Sequence, residues 1–484
     1  MLEKVSIQRN KVLEKVSFEH IILLLLETIM LKRKIQKWLN NFTISDHKVL
    51  FVDGARQVGK TYILQKYQEQ VYKNNTYINI ATNKESFNIL RKSKNAEDFY
   101  TRLSIITDKI GKESSSIFID EIQLFYDPIC KAKDTNDNQI FDLITMSKDL
   151  AIKYKDKFIF SGSLLGFVAN NVISFPEGYA LSYTMHPLDF EEFLWANNIS
   201  SNIIEKLRDA FLNKTRIEDY IHSKILALFH VYVLVGGMPN AVNKYVTTKN
   251  LNEVAIAHKS IEDYIKHDIA YYAPVAQKVK IREIYDLIPS ELNAKSKRFS
   301  IADIESSFHG EDLTSSFQWI KTSGAAIAVY NVTEPVIPLL ASKKRNLMKV
   351  YLEDVGILTY LYFNSLQKAS LLNGELKANF GAIYENVAAQ LLKAHGFSNI
   401  YYYNSKKYGE VDFLIEKDNK IIPIEIRSGK DYHIHHAMNN LIKIEEYNID
   451  EGFVFGETNI EQNGKVTYFP IYLLDFLSKN NHQE

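Results

Sequence analysis

The chain has 484 residues, of which 46% are hydrophobic and 24% charged, so a mainly disordered protein is excluded. At roughly 100–200 residues per domain, the length predicts several domains. Lys+Arg and Asp+Glu both number 58, which excludes a protein built as one large polyanion clamp and leaves any nucleic-acid contact to a local patch. The lone cysteine, Cys130, excludes an intramolecular disulfide and a multi-cysteine zinc site, and fits a reducing, cytoplasmic compartment.

Read in chain order, the first apolar run is Ile21 to Leu26, far short of the ~20 residues a bilayer core requires, so no membrane span is expected. Residues 1–29, ahead of a second plausible start at Met30, read as an amino-terminal extension carrying an amphipathic helix. Val49–Val52, Thr76–Ile80, Ile117–Asp120 and Lys157–Ser161 read as buried strands separated by helical stretches. That alternation predicts a parallel sheet with both faces covered, whose ligands bind beyond the carboxyl ends of the strands. From Asp189 to Tyr272 the pattern is helical, broken at Gly236-Gly237-Met238-Pro239. Short helices and a β-like stretch, Ile327–Val336, follow. Lys295, Lys297 and Arg298 precede a helix at Ile301, as in a winged-helix module with a nucleic-acid face or in a solvated charged turn. From Leu371 onward, helix, strand, strand and helix read as a small α/β domain.

Gly54-Ala55-Arg56-Gln57-Val58-Gly59-Lys60-Thr61 fits GxxxxGK[ST] between a predicted strand and a predicted helix. The glycines let backbone N–H groups curl around phosphate oxygens, Lys60 reaches the β- and γ-phosphates, and Thr61 holds Mg²⁺. The helix that follows aims its positive end at the same phosphates. The strand Ile117–Asp120 ends in Asp120-Glu121. After such a loop, Asp120 is expected to hold the Mg²⁺ shell and Glu121 to orient and deprotonate water. Ser161 and Ser163, at the end of the fourth strand, are placed between the loop and the acids, where they would sense the γ-phosphate.

GARQVGKT, IFIDEIQ, FSGSLLG and HPLDFEEFLWA together resemble the AAA-type ATPases of bacteria and archaea. More narrowly, the chain is similar to prokaryotic ATP-binding proteins that carry a carboxy-terminal domain of unknown function. Pro187–Phe193, Gly236–Pro239, Val350–Leu358 and the pair EVDFLIE and IIPIEIRSGK follow that family's order from about Met30 to the end. The resemblance implies an ATP- and Mg²⁺-dependent hydrolase. One departure stands out: Gly178-Tyr179 occupies the place where the family has Gly-Arg. An arginine finger contributes 10³–10⁵ in rate.

In the last part, Glu385 lies on a predicted helix, Asp412 in EVDFLIE, and Glu425 and Arg427 in IIPIEIR. Glu425 and Arg427, two apart in a strand, share a face, and acids converging there would bind Mg²⁺ and activate water against a phosphodiester. This arrangement is similar to the PD-(D/E)XK nuclease core, with arginine in the lysine place. Arginine cannot give up its proton as lysine can.

The expected architecture is α/β: extension 1–29, P-loop AAA-type core 30–200, helical lid 201–275, winged-helix-like region 276–370 and restriction-endonuclease-like domain 371–484. The expected function is a Mg²⁺-dependent ATPase switch for an unidentified protein or nucleic acid, with homo-oligomer formation left open. The alternatives are an ATP-regulated nuclease and a nucleotide-binding scaffold with little turnover.

Overall fold

The computed structural model describes residues 31–46, 48–126, 142–163, 178–294, 299–300, 314–429 and 432–479. The extension 1–29, Cys130, the cluster Lys295, Lys297 and Arg298, and the helix expected at Ile301 lie outside the described residues.

The first sheet contains β1 (Val49–Gly54), β2 (Asn74–Asn79), β3 (Ser115–Asp120), β4 (Lys157–Ser161) and β5 (Ala180–Met185), all parallel, in the order β2-β3-β4-β1-β5. The two-residue period of a strand sorts its side chains between two cores. In β1, Leu50 and Val52 join Ile63, Leu64 and Tyr67 of helix Lys60–Val71. Val49 and Phe51 turn the other way, onto Phe99 and Leu103 of helix Ala96–Ile106 and Leu150 of helix Leu143–Lys153. Both faces are covered, as the apolar runs predict, and this is the P-loop NTPase fold. Its loop leaves β1 between β4 and β5, with β3 on the far side of β4.

Helices follow from Phe190 to Asn293. The chain then builds a second, mixed sheet from β6 (Phe299–Ser300), β7 (Ala326–Val332), β8 (Lys343–Leu352), β9 (Tyr401–Ser405), β10 (Gly409–Lys417), β11 (Lys420–Ile426), β12 (Gly452–Gly456), β13 (Glu461–Asn463) and β14 (Val466–Pro470). Its order is β13-β14-β12-β11-β10-β9-β7-β8-β6. The boundary expected at 370/371 therefore falls inside one sheet, because β7 pairs parallel with β9 at Tyr330, Asn331 and Val332. β10 and β11 form the expected hairpin, turning through Asp418 and Asn419, both left-handed, as a two-residue hairpin turn requires. β11 is buried along its length except at Lys420, so its Glu425 faces the interior rather than solvent. The helix Gly381–Ala394 is buried from Ala382 to Leu392 and crosses β7, β8 and β11.

The two sheets and the helices meet at one junction. Helix Asp219–Val235 ends at Gly236, and all four of its last carbonyls are satisfied. Gly236 N donates to Tyr232, Thr359 Oγ1 its one proton to Val233 at 3.2 Å, Lys368 Nζ to Leu234 at 2.6 Å, and His258 Nε2 to Val235 at 2.8 Å. A carbonyl only accepts, so His258 carries its proton on Nε2. Gly237 N then donates to Asp354 Oδ2 at 2.6 Å, and Leu188 N to Gly237 O at 2.7 Å. A β-carbon on Gly237 would lie 2.0 Å from Leu188 O, and one on Gly236 2.2 Å from Asp354 Oδ1, so this approach admits only glycine.

Burial raises the Asp354 carboxyl to about 6, against donors from Gly237 and Ile357 that favour its charged form. The folded chain thus keeps a proton that the unfolded chain releases near 3.8. Between those values the folded state binds more protons, and raising the pH across the window weakens the fold. The unfolding free energy of the natural chain relative to Asp354→Asn should fall by roughly 2–3 kcal/mol from pH 4 to pH 7. A difference independent of pH in denaturant titrations would contradict this.

Candidate functional site

The loop between β1 and helix Lys60–Val71 curls because its backbone enters the left-handed region three times. Gly54 (φ 133°), Gln57 (φ 62°) and Gly59 (φ 92°) do so, and the Gln57 conformation is one that a non-glycine residue pays for in strain. Gly54 has a second reason to be glycine: a β-carbon would lie 2.1 Å from Met185 O of β5. Neighbouring helices are capped by Asn83, Asn95 and Asp142, whereas helix Lys60–Val71 starts at Gly59 with no side-chain cap. Its first N–H groups are left for an anion. Arg33 braces the loop from outside, donating to Val58 O at 2.8 Å and His186 O at 2.7 Å.

Lys60 is buried and donates to Gly54 O at 2.8 Å and Ala55 O at 2.7 Å. Burial pulls its ammonium down to about 8, opposed by Glu121, Asp120 and Asp53. Thr61 Oγ1 donates to Asp120 Oδ2 at 2.7 Å, which brings the two expected Mg²⁺ ligands side by side. These are hard oxygen donors at the end of a loop and a strand, and they fit Mg²⁺. Asp120 also accepts from Tyr77 at 3.2 Å and from Ser161. The Ser161 hydroxyl is thus turned to Asp120, a positioning contact. Ser163 is the serine on the rim, 3.3 Å from both Arg56 Nε and Gln123 Nε2. Glu121 follows β3 with φ 62°, and Gln123 donates to its Oε2.

All the loop and acid residues expected from sequence thus converge on one rim. Gln123, Tyr77 and Arg33 were missed. Two more missed residues, Asp268 and Tyr272 on helix Leu251–Tyr272, bind Arg56 from far along the chain. No local pattern marks them.

The carboxy-terminal acids also converge, around a residue no motif announced. Lys349 of β8, fully buried, lies 2.8 Å from Glu410, 3.5 Å from Glu385 and 4.0 Å from Asp412. Arg427 reaches Glu425 at 2.8 Å and Asp412 at 3.7 Å. Burial first, then Asp412, holds Glu425 well above the usual carboxylate range, and burial and Glu385 push Asp412 up. Lys349 and Arg427 already supply the cations among these acids. A cation beside the acids is part of the core that the resemblance implies, and Glu425 Oε1 is buried without a hydrogen bond, so Asp412 and Glu425 are oxygen donors that could hold a metal ion there. A second group of ligand-type side chains, Asp189, His395 and Asp475, likewise already has its cation, with Lys34 Nζ 2.7 Å from Asp189.

Comparison with known proteins follows this division. Residues 46–194 match the family described as AAA domain, residues 226–369 the one described as Domain of unknown function (DUF8612), and residues 380–474 the one described as Domain of unknown function (DUF4143). The chain is 21% identical over 388 residues to an uncharacterized protein of Haemophilus influenzae, a match covering 78% of this chain and 81% of that protein. Among solved structures it is similar to a Walker-type ATPase of Pyrococcus abyssi, with 13% identity, 68% of this chain and 94% of that chain covered, and a TM-score of 0.36. It is also similar to Drosophila ORC bound to DNA, with 12% identity, coverage of 70% and 94%, and a TM-score of 0.26. The fold assignment rests on the sheet order and loop geometry, and the AAA match covers that same segment. Among the described residues no helix is long and apolar enough to cross a membrane.

Replacing Lys349 by Met leaves buried carboxylates without their cation. Breaking such a cluster costs about 3–5 kcal/mol, read as loss of stability in denaturant titration. A loss below about 1 kcal/mol would show that the acids do not depend on Lys349.

Proposed function

We propose that this chain binds ATP with Mg²⁺ on the loop Gly54–Thr61 and hydrolyses it, the nucleotide state setting how the helical region and the mixed sheet meet a protein or nucleic-acid partner. The observation that carries the reading is the pairing of Lys60 and Thr61 on the loop with Asp120 and Glu121 at the end of β3, joined by the Thr61–Asp120 hydrogen bond.

Backbone N–H groups of the loop and the uncapped helix start hold the phosphates. Lys60 exchanges two carbonyl partners for phosphate oxygens. Thr61 and Asp120 would hold Mg²⁺, which when bound neutralises phosphate charge. Glu121 accepts the proton of the attacking water at its carboxylate, while Gln123 fixes its orientation. The new bond joins water oxygen to the γ-phosphorus, and the bond to the β-bridging oxygen breaks, giving ADP and phosphate. AAA-type kinship of residues 46–194 supports the same reaction class.

Lys60→Ala should weaken ATP binding at least tenfold by titration calorimetry, while Glu121→Gln keeps binding and loses phosphate release about 10²-fold or more. Unchanged affinity in Lys60→Ala would refute the assignment. Because Lys60 titrates near 8 and ATP favours its charged form, affinity should fall as pH rises above 8. Lys60→Arg, whose charge persists, should flatten that fall. The same pH profile in both proteins would contradict a charged Lys60 as the phosphate contact.

A further inference from the structure

Phosphoryl transfer develops negative charge that a cation would stabilise. Arg56 lies inside the phosphate loop, so its backbone is already beside the phosphates. Its Nε is 2.7 Å from Asp268 Oδ2 and 3.3 Å from Ser163 Oγ, and its NH2 is 3.1 Å from Tyr272 OH. Ser163 contacts Gln123, which donates to Glu121. The guanidinium is thus held three hydrogen bonds from the carboxylate that takes the water proton.

Its partners belong to a different part of the fold. Asp268 and Tyr272, one turn apart, are in the last turns of helix Leu251–Tyr272. Asp268 is poorly compensated: its Oδ1 is buried without a hydrogen bond, with His267 Nδ1 3.9 Å away. A cavity of about 50 Å³, lined in part by Arg56, Ser163, Asp268, Tyr285 and Asp354, adjoins the pair, and the Tyr285 hydroxyl is buried there without a partner. A single carboxylate is a weaker partner for guanidinium than a γ-phosphate, which shares more negative charge over three oxygens.

We propose that Arg56 supplies in cis the cation that stabilises phosphoryl transfer, and that Asp268 and Tyr272 hold it in a parked position from which the γ-phosphate draws it. The inference rests on the ATPase reading above. Hydrolysis is then coupled to helix Leu251–Tyr272, because the charge that the reaction uses is the charge that ties down the end of that helix. Asp268 is a positioning residue, and Arg56 is the catalytic one. Burial raises the Asp268 carboxyl to about 6 even beside Arg56, so a proton can take the place of the guanidinium when Arg56 leaves.

The test uses the full chain and compares Mg²⁺-ATP affinity, phosphate release and hydrogen exchange for the natural protein, Arg56→Ala, Arg56→Lys and Asp268→Asn. Arg56→Ala should cut kcat about 10³-fold, with ATP affinity changed less than about tenfold. Arg56→Lys should recover part of that loss, since it restores charge without the planar fork. Asp268→Asn should raise kcat several-fold and speed exchange over residues 265–272. ATP added to Glu121→Gln should speed the same exchange, and should fail to do so when Arg56→Ala is also present. An Asp268→Asn protein that loses kcat as Arg56→Ala does would overturn the parked-charge account, since both would then be scaffold residues. So would an Arg56→Ala protein with natural kcat, or one that loses affinity alone. A natural protein that binds ATP and releases phosphate while these variants behave like it sinks this inference and leaves the ATPase reading standing. A natural protein that binds no ATP sinks both.

Discussion

The close approach of Gly237 to Leu188 and Asp354 is the constraint on which the rest of the molecule depends. Three segments meet there, the glycines contributing no side chain and Asp354 its carboxylate: the turn after β5, the end of helix Asp219–Val235, and the end of β8. A Gly356 β-carbon would lie 2.4 Å from Val235 O, so the third segment is as tightly seated as the first two. Pro239, two residues past Gly237, stands against the loop, where a β-carbon on Gly59 would be 3.6 Å from its ring. The helical region and the mixed sheet thus meet at this junction, and the Pro239 ring faces the phosphate loop beside it. Packed interfaces of this kind shift between arrangements rather than deform smoothly, which is what a nucleotide switch needs.

Charge holds the same parts together from the other side. Asp189 and Glu192 form a capping box at the start of helix Phe190–Ala196, and Asp475 from the end of the mixed-sheet region accepts from Phe190 N and Glu191 N. Lys34 and Arg33 pair with Asp189 and Glu192 at 2.7 and 3.1 Å. The carboxylates of Asp189 and Asp475, 3.4 and 3.3 Å from His395 Nε2, raise His395 to about 9 against burial and the Lys34 charge. Burial opposes ionisation of Asp189, but Lys34 and His395 hold it well below the usual range. Arg33 also braces the phosphate loop, so one clip ties the loop to the last residues of the fold.

Much of the ATPase half was legible because its signals are local. Glycine positions in the loop follow from backbone curl, and the strands from runs of buried residues. The recurring segments Pro187–Phe193, Gly236–Pro239 and Val350–Leu358 were visible, yet their work was not, because each acts by touching the others across the fold. Lys349 shows the same limit: nothing near it in sequence says that it will sit among Glu385, Glu410 and Asp412. Arg427, which sequence put in the lysine place of a nuclease on the face of Glu425, pairs with Glu425. The boundary at 370/371 was read from a change of pattern, and pattern does not reveal that strands on both sides hydrogen-bond in one sheet.

The central claim is that nucleotide at the loop is felt across the glycine junction. The most direct measurement is hydrogen exchange of full-length Glu121→Gln with and without Mg²⁺-ATP, resolved by peptide. The account predicts altered protection at the loop, at residues 236–239 and 354–358, and onward into the mixed sheet. Changes confined to the five-stranded sheet, with the junction and mixed sheet unaltered, would contradict it.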